Sequence, residues 1–202
     1  MAEVNPNLVK KLRDKTNAGM MDCKNALVES DGDLSKAEDI LRKKGIASAT
    51  KKASRSTKEG VVASYIHLQG KVGVLVEINC ETDFVAKNEN FRNFVKDITL
   101  HIAAAIPLYV SRDQVPVQSI EREREIYRAQ VADKPANIVE KIVEGKIDKF
   151  FASVCLLEQA FIKNQDQTIK DLVASKVAEL GENIVIRRFA RYAVGEETAA
   201  GQ

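Results

Sequence analysis

The sequence predicts an α+β protein with a small N-terminal three-helix domain, a linker, and a three-stranded antiparallel sheet covered by helices. Apolar residues recur at helical spacing over residues 1–45, and beyond Gly60 the spacing changes to the alternation typical of a β-strand. A strand pattern returns only at residues 183–195, after several helical stretches. This order favours an α+β core whose third strand arrives last.

Three short helices are predicted within the N-terminal domain, residues 1–45. Asn5-Pro6 is typical of a helix start, because Asn can cap a helix and Pro lacks only an N–H that would be unpaired there. Apolar stripes follow, and each is closed by a turn sequence that contains glycine. The predicted helix ends are Asn17-Ala18-Gly19, Asp31-Gly32 and Gly45.

A linker is predicted at residues 46–59, which overlaps a basic stretch at residues 42–58. Seven Lys and Arg residues there are interleaved with Ala, Ser and Thr, and little that is large and apolar follows Ile46. This composition indicates a solvated helical connector. The alternative is a nucleic-acid-binding helical module that uses the basic stretch, although the stretch has no aromatic residues to stack on bases.

The core, residues 60–195, is predicted to begin with a β-hairpin. Residues 61–68 and 72–80 both have strand character, and Gln69-Gly70 between them suits a two-residue turn. A helical stripe from Phe91 to Ala105, ended by Ile106-Pro107, can cover this hairpin. The remaining predictions are sparse packing at 108–134, a helix from Pro135 to Gly145, an apolar helix at 147–161, a helix at 168–180, a strand at 183–195 and a disordered tail at 196–202.

Composition and charge exclude several classes of protein. Hydrophobic residues make up 45% of the 202-residue chain, and no apolar run approaches the ~18–20 residues of a membrane helix. The formal charge of +2 is too balanced to make nucleic-acid binding the default interpretation. The three cysteines are far apart and no CxxC pair occurs, so a reducing compartment is favoured over a disulfide framework or a zinc site. Because no signal or transit segment is visible, we expect the cytoplasm, or an organelle stroma if the chain is organelle-encoded.

Catalytic chemistry is not legible in the sequence. His67 and His101, the two histidines, have no catalytic partner nearby in sequence and are interpreted as structural residues. Glycine-rich phosphate loops, nucleophile motifs and metal-ligand spacings are absent from the sequence. We therefore expect neither an enzyme nor a chain that requires a cofactor or a metal.

The most informative segment is Glu81–Asn88, which follows an apolar strand. One interpretation is that Thr82 or Asp83 caps a helix whose first packed turn contains Phe84 and Val85. In the other, the connection holds Phe84 outward beside an acidic side chain, as an anchor that enters a pocket on another protein. Local pattern alone leaves both interpretations open.

Four blocks of this sequence closely resemble the elongation factor Ts family, the guanine-nucleotide exchange factors of elongation factor Tu, and Arg187-Arg188-Phe189 also fits. They occur in the family's order and span nearly the whole chain, which makes the match specific. The blocks are Leu12–Lys24, Leu41–Gly45, Glu77–Asn88 and Cys155–Gln159.

The resemblance implies a ubiquitin-associated-like N-terminal domain and a core that grips the GTPase. Thr82 to Val85 match the segment that dislodges the magnesium ion, with Phe84 wedged near the nucleotide site and Asp83 in support. The expected partner is elongation factor Tu, GDP-bound or nucleotide-free, from which the factor departs when GTP binds. Further expected partner contacts are Arg13, Met20 and Met21.

Too few residues separate Asn88 from Cys155 to form the second half of the core that longer family members carry. The chain therefore resembles the compact form of the family. In that form a three-stranded sheet is expected to pack on its twin, which implies a homodimer. Neither a membrane nor direct nucleic-acid contact is expected.

Overall fold

A computed structural model describes residues 5–16, 18–132 and 134–196 of the chain, and of the predicted disordered tail at 196–202 all but Glu196 lies outside the described residues. The α+β prediction is confirmed. The helices and strands are α1 (Pro6–Thr16), α2 (Met20–Glu29), α3 (Leu34–Lys52), β1 (Glu59–His67), β2 (Val72–Cys80), α4 (Asp83–Lys87), α5 (Glu89–Ala105), α6 (Val117–Gln130), α7 (Ala136–Val154), β3 (Ala160–Phe161), β4 (Asn164–Thr168), α8 (Ile169–Leu180) and β5 (Val185–Ala193).

The three N-terminal helices enclose a small core of their own. Its buried members come from all three helices, since each helix has one apolar face. Asp33 caps α3 by accepting hydrogen bonds from the backbone N–H groups of Ser35 and Lys36. The buried side chains are Val9, Leu12, Cys23, Ala26, Leu27, Ala37 and Leu41.

Gly45 does not end the third helix, which corrects the sequence prediction. α3 continues to Lys52, so the first half of the predicted linker is helical. Gly45 is buried, and a Cβ atom built on it would lie 3.6 Å from the carbonyl oxygen of Ala174 in α8. At that distance a Cβ atom would make an ordinary van der Waals contact, so Gly45 lies within the helix where α3 packs against α8.

Strands β1, β2 and β5 form an antiparallel sheet with β2 in the centre. Along β2, Val74, Val76 and Ile78 are buried while Leu75 between them is exposed, as the alternation predicts. Gly60 of β1 has φ +143°, and a Cβ there would lie 2.2 Å from the carbonyl oxygen of Ile78. Only glycine allows the two strands to approach so closely at this point.

The turn of the first hairpin differs from the predicted two-residue Gln69-Gly70 turn. Leu68–Gly70 form a short 3₁₀ turn, and the N–H of Lys71 donates to the carbonyl of Leu68 at 3.2 Å. Leu68, Gln69 and Gly70 have φ values of 49°, 55° and 93°. Three consecutive left-handed residues reverse the chain here, where a two-residue turn would need only one or two.

The helix boundaries after α5 also need correction. α7 passes through Gly145 and continues to Val154, because Val143, Ile147 and Phe151 form one uninterrupted buried stripe. The apolar stretch predicted as a helix at 147–161 therefore leaves the helix at Cys155 and continues into a 3₁₀ turn and β3. In the segment 108–134, α6 buries none of its side chains fully, in line with its sparse apolar positions.

The described residues form two compact units. One contains those of Met1–Val62, Glu77–Val95 and Lys170–Ile186, and so holds the N-terminal helices, α4 and α8. The other contains those of Ala63–Val76, Lys96–Ile169 and Arg187–Gln202. The predicted division at 1–45, 46–59 and 60–195 stays a prediction.

Candidate partner-binding site

The candidate site is α4, a helix of five residues that follows β2 directly. Thr82 precedes the helix in an extended conformation, and its hydroxyl oxygen accepts a hydrogen bond from the N–H of Val85 at 3.3 Å. This is the N-cap predicted for Thr82; Asp83 is the first helical residue instead. The cap allows a short helix to begin at once where the buried strand ends.

Phe84 and Val85 lie in opposite environments, one exposed and the other buried, so neither interpretation of the sequence is complete by itself. Val85 is 5% exposed and anchors the helix, whereas Phe84 is 78% exposed. Successive helical residues are about 100° apart, which is how adjacent apolar side chains can separate in this way. The capped turn of the first interpretation is present, and it holds the aromatic ring outward as the second requires.

Asp83 lies beside Phe84 and is tied to its own helix. The Lys87 Nζ atom donates to the Asp83 carboxylate at 2.6 Å. This hydrogen bond and the charge of Lys87 lower the pKa of Asp83, and the same contact raises the pKa of Lys87. Both groups are exposed, so the pair places charge on the surface and contributes little to the stability of the fold.

Glu182, one hundred residues further along the chain, contacts this segment, and the sequence did not predict this contact. Its carboxylate accepts from the backbone N–H groups of Glu81 and Thr82, each at 3.0 Å. It also accepts from the Thr82 hydroxyl at 2.6 Å. A single acidic residue just after a helix gives no local signal of such a contact.

Arg13, Met20 and Met21 form a second exposed group, on the N-terminal helices. Arg13 is an exposed residue in the last turn of α1, while Met20 and Met21 open α2 and are 56% and 65% exposed. Exposed methionines are adaptable contact residues. The three residues therefore lie on the surface, on elements other than the one that carries Thr82, Asp83, Phe84 and Val85.

Several cations of the basic stretch are engaged in local contacts. Arg42 pairs with Asp39, and Lys44 pairs with Glu29. Arg55 lies 3.5 Å from the Glu81 carboxylate. These contacts reduce the positive charge that residues 42–58 could offer to a phosphate backbone.

The two histidines occupy different structural environments. His101 is fully buried; its Nε2 atom lies 3.0 Å from the Gln159 side-chain oxygen, and burial lowers its pKa. His67 is exposed and does have a partner near in sequence, since its Nδ1 atom lies 2.8 Å from the Tyr65 hydroxyl. Within residues 5–16, 18–132 and 134–196, no group of three or more His, Cys, Asp or Glu is placed to hold a metal ion.

The part of the chain that the structure describes contains no helix with the length and apolarity needed to traverse a bilayer. The cysteines Cys23, Cys80 and Cys155 are all buried as free thiols. Burial raises the pKa of Cys80 and of Cys155 to about 11 in each case. These thiols are packing residues, because a protonated, buried sulfur is a poor nucleophile.

An α+β chain that presents an exposed aromatic ring on a capped helix has the features of a protein-binding factor. Comparison with known proteins identifies which kind: the family model described as Elongation factor TS matches residues 47–196. The chain belongs to the elongation factor Ts family, a family of translation elongation factors.

Relatives named Elongation factor Ts match this chain over nearly its full length. The protein from Carboxydothermus hydrogenoformans is 60% identical over 198 residues, which cover 97% of this chain and 91% of the relative. The protein from Caldanaerobacter subterraneus subsp. tengcongensis is 57% identical over 195 residues, 96% of this chain and 98% of the relative. The protein from Geobacter metallireducens is 58% identical over 193 residues, 95% of this chain and 89% of the relative.

Proposed function

We propose that this chain binds elongation factor Tu, GDP-bound or nucleotide-free, and promotes release of GDP. Residues 82–85 displace the magnesium ion beside the nucleotide, and Phe84 inserts near the nucleotide site. The chain leaves when GTP binds. The observation that carries the proposal is the 78% exposure of Phe84 next to Val85, which is 5% exposed.

The energy required is compatible with one inserted ring plus a supporting interface. A thousandfold acceleration of release corresponds to roughly 4 kcal/mol of barrier lowering. Burial of one phenylalanine side chain supplies about 1.5–3 kcal/mol. Phe84 therefore provides much of the effect, and magnesium displacement and the wider interface provide the rest.

This exchange requires no covalent chemistry, so the chain acts without a catalytic residue and without a cofactor or metal of its own. It makes the nucleotide-bound form of the partner less stable relative to the empty form. Coupling between two ligands is reciprocal. If the factor weakens nucleotide binding, nucleotide weakens factor binding by the same ratio, which explains why incoming GTP expels it.

Arg13, Met20 and Met21 supply a second contact with the same partner, supported by their exposure on α1 and α2. Two separated contacts hold the factor on the GTPase while Phe84 acts. A partner in translation elongation locates the chain in the cytoplasm, or in an organelle stroma if it is encoded there.

A homodimer through the core sheet completes the proposal. Ile66, Leu75 and Tyr192 are 65%, 51% and 74% exposed. Arg191, next to Tyr192, reaches the carbonyl of Ala103 in α5, so Tyr192 faces away from α5. Exposed apolar side chains on a sheet favour association with a second copy.

The test is release of a fluorescent GDP analogue from elongation factor Tu, with and without this chain. We expect Phe84→Ala to lower the maximal release rate by roughly 10- to 100-fold, the equivalent of the lost ring burial. Its fold should survive, because the ring contributes little to the chain's own core. Circular dichroism and thermal unfolding check the fold.

The matched control is Val117→Ala, which also truncates an apolar side chain that is 70% exposed, at the start of α6. This variant should release GDP at the wild-type rate. Charge reversal of Lys51 and Lys52 should also lower the rate of GDP release less than Phe84→Ala does. The opposite ranking, together with salt-dependent binding of RNA or DNA, would favour the nucleic-acid module instead.

A further inference from the structure

Two carboxylates join the segment before α4 to the segment before β5. Glu182 accepts from the N–H groups of Glu81 and Thr82, while the Glu81 carboxylate accepts from the N–H of Asn183 at 2.6 Å. Each segment thus donates to a carboxylate of the other. Hydrogen bonds of this kind, with an ionised acceptor, are roughly twice as strong as neutral ones.

The Thr82 hydroxyl transmits this contact to the helix. It donates a hydrogen bond to the Glu182 carboxylate at 2.6 Å and accepts one from the N–H of Val85 at 3.3 Å. A hydroxyl has one proton and two lone pairs, so donation to Glu182 leaves the lone pairs available for the cap. Glu182 therefore orients the group that begins α4.

The segment that carries Glu182 is itself fixed. Asn183 is 5% exposed, and its side-chain amide donates to the carbonyl of Arg55 at 3.0 Å and to that of Ala53 at 3.4 Å. The Sγ atom of Cys80, at the end of β2, donates to the carbonyl of Thr82 at 3.2 Å. The start of α4 is thus held from both sides.

We propose that Glu182 is a positioning residue for nucleotide exchange: it holds Thr82 and the start of α4 so that Phe84 is oriented outward before the partner arrives. This inference rests on the proposed exchange function. Glu182 acts through Thr82 and the backbone, and touches neither nucleotide nor magnesium. A preorganised α4 avoids the entropy of ordering these residues during insertion, which is a cost that a mobile segment would add to the barrier.

The test compares Glu182→Gln and Glu182→Ala in the same GDP-release assay, as a function of factor concentration. We expect the maximal release rate to fall about tenfold for Glu182→Ala and about threefold for Glu182→Gln, which keeps one neutral acceptor. The half-saturating concentration should change less than about twofold, because the other partner contacts remain. A merely destabilised fold would lower the active concentration, which raises the apparent half-saturating concentration and leaves the maximal rate unchanged.

Glu179→Gln is the matched control. It makes the same charge and shape change three residues earlier, at a carboxylate that contacts Asn90 of α5 and Lys176 of α8. This variant should keep the wild-type maximal rate. If Glu179→Gln lowers that rate as much as Glu182→Gln does, the effect is one of general charge and the proposal is overturned.

Amide hydrogen exchange of the isolated chain gives a second readout that does not need the GTPase. In both Glu182 variants the N–H groups of Glu81, Thr82 and Val85 should exchange faster, while those of β2 keep their protection. Unchanged exchange at these amides, or faster exchange with a wild-type release rate, would overturn the inference. If the wild-type chain itself fails to release GDP, the proposed function fails, and amide exchange still reports separately whether Glu182 orders α4.

Discussion

At the scale of single residues, the exposed ring of Phe84 is retained at a cost. A phenylalanine left in water forgoes about 1.5–3 kcal/mol of burial free energy. The helix that carries it is stabilised by other residues, namely the Thr82 cap and the buried Val85. Because other residues stabilise the helix that presents the ring, Phe84→Ala should change the exchange rate much more than it changes the free energy of unfolding.

His101 makes the stability of the fold depend on pH. Its Nδ1 atom accepts the N–H of Ile162 at 3.4 Å, so the ring is neutral, with its proton on Nε2 toward Gln159. Burial lowers the pKa of His101 in the folded state. Below about pH 6.5 the unfolded chain therefore binds the proton more readily than the folded chain does. We expect the free energy of unfolding to fall as pH falls through this range, by at most about 1.4 kcal/mol per pH unit from this residue.

Urea unfolding at several pH values between about 5 and 7.5 measures this slope, above the range where most carboxylates titrate. His101→Gln should flatten the slope, whatever its effect on stability at neutral pH. His67→Gln, at the exposed histidine, should leave the slope unchanged. A slope that persists in His101→Gln and disappears in His67→Gln would contradict this assignment.

The local part of the candidate site was predictable, and the distant part was not. Thr82 followed by Val85 at capping distance, after a strand that ends in Cys80, is a short-range pattern that sequence reasoning can use. The same pattern could not show which way Phe84 points, because the rotation of a short helix about its own axis depends on what Val85 packs against. Glu182 supplies its contact from another segment, so only the folded chain brings it to Thr82.

At the scale of whole elements, Gly45 and Gly145 show why glycine is an ambiguous helix terminator. Neither glycine adopts the left-handed conformation typical of a helix end, whereas Gly32 and Gly181 do, with φ values of 81° and 77°. Gly145 costs its helix about 1 kcal/mol relative to alanine, which the buried stripe of α7 outweighs. Gly45 lies in the part of α3 that packs against Ala174, and this contact keeps the helix going. Both reasons lie in tertiary structure.

The end of α5 carries a strained residue that offers a test of element stability. Ile106 has φ 52°, a left-handed conformation that costs an L-residue about 1–2 kcal/mol and suits a β-branched side chain least. Asparagine tolerates this conformation. Because Ile106 is 48% exposed, part of the gain is lost with its apolar contacts. We expect Ile106→Asn to raise the free energy of unfolding by about 0.5–1 kcal/mol.

Chemical denaturation measures this change, and Ile106→Val is the control, since valine keeps the branched Cβ and the strain. Ile106→Val should be no more stable than the wild-type chain. If Ile106→Asn is the less stable of the two variants, packing of the isoleucine outweighs the backbone strain and the expectation is wrong.

At the scale of the whole molecule, the main sheet was predictable because its strands alternate visibly. β2 is rich in Val and Ile, β5 contains Val185, Ile186, Phe189 and Tyr192, and the hairpin that contains β2 is local in sequence. β3 and β4 were missed: Asn164–Thr168 has no apolar alternation, and β3 is only two residues long. Their pairing, from Ala160 with Thr168 to Phe161 with Asn164, follows from chain reversal and not from a pattern of buried side chains.

The same sheet leads to the prediction for the assembled protein. Ile66, Leu75 and Tyr192 are exposed apolar or aromatic side chains of this sheet, and a two-fold symmetric dimer through the sheet would bury them in both copies. We therefore expect light scattering to give twice the 22.4 kDa chain mass at micromolar concentration. Leu75→Lys should shift the equilibrium to monomer, because each copy would bury an unpaired charge in an apolar contact.

Val117→Lys introduces the same charge at an exposed valine of α6 and should leave the mass unchanged. A monomeric wild-type chain, or a Leu75→Lys variant that still dimerises, would show that the sheet face is not the interface. GDP release separates assembly from the site itself. Phe84 lies on α4 and not on the sheet, so a Leu75→Lys monomer that keeps its fold retains the exposed ring. If that monomer also loses exchange, the second copy must supply contacts that a single compact chain lacks.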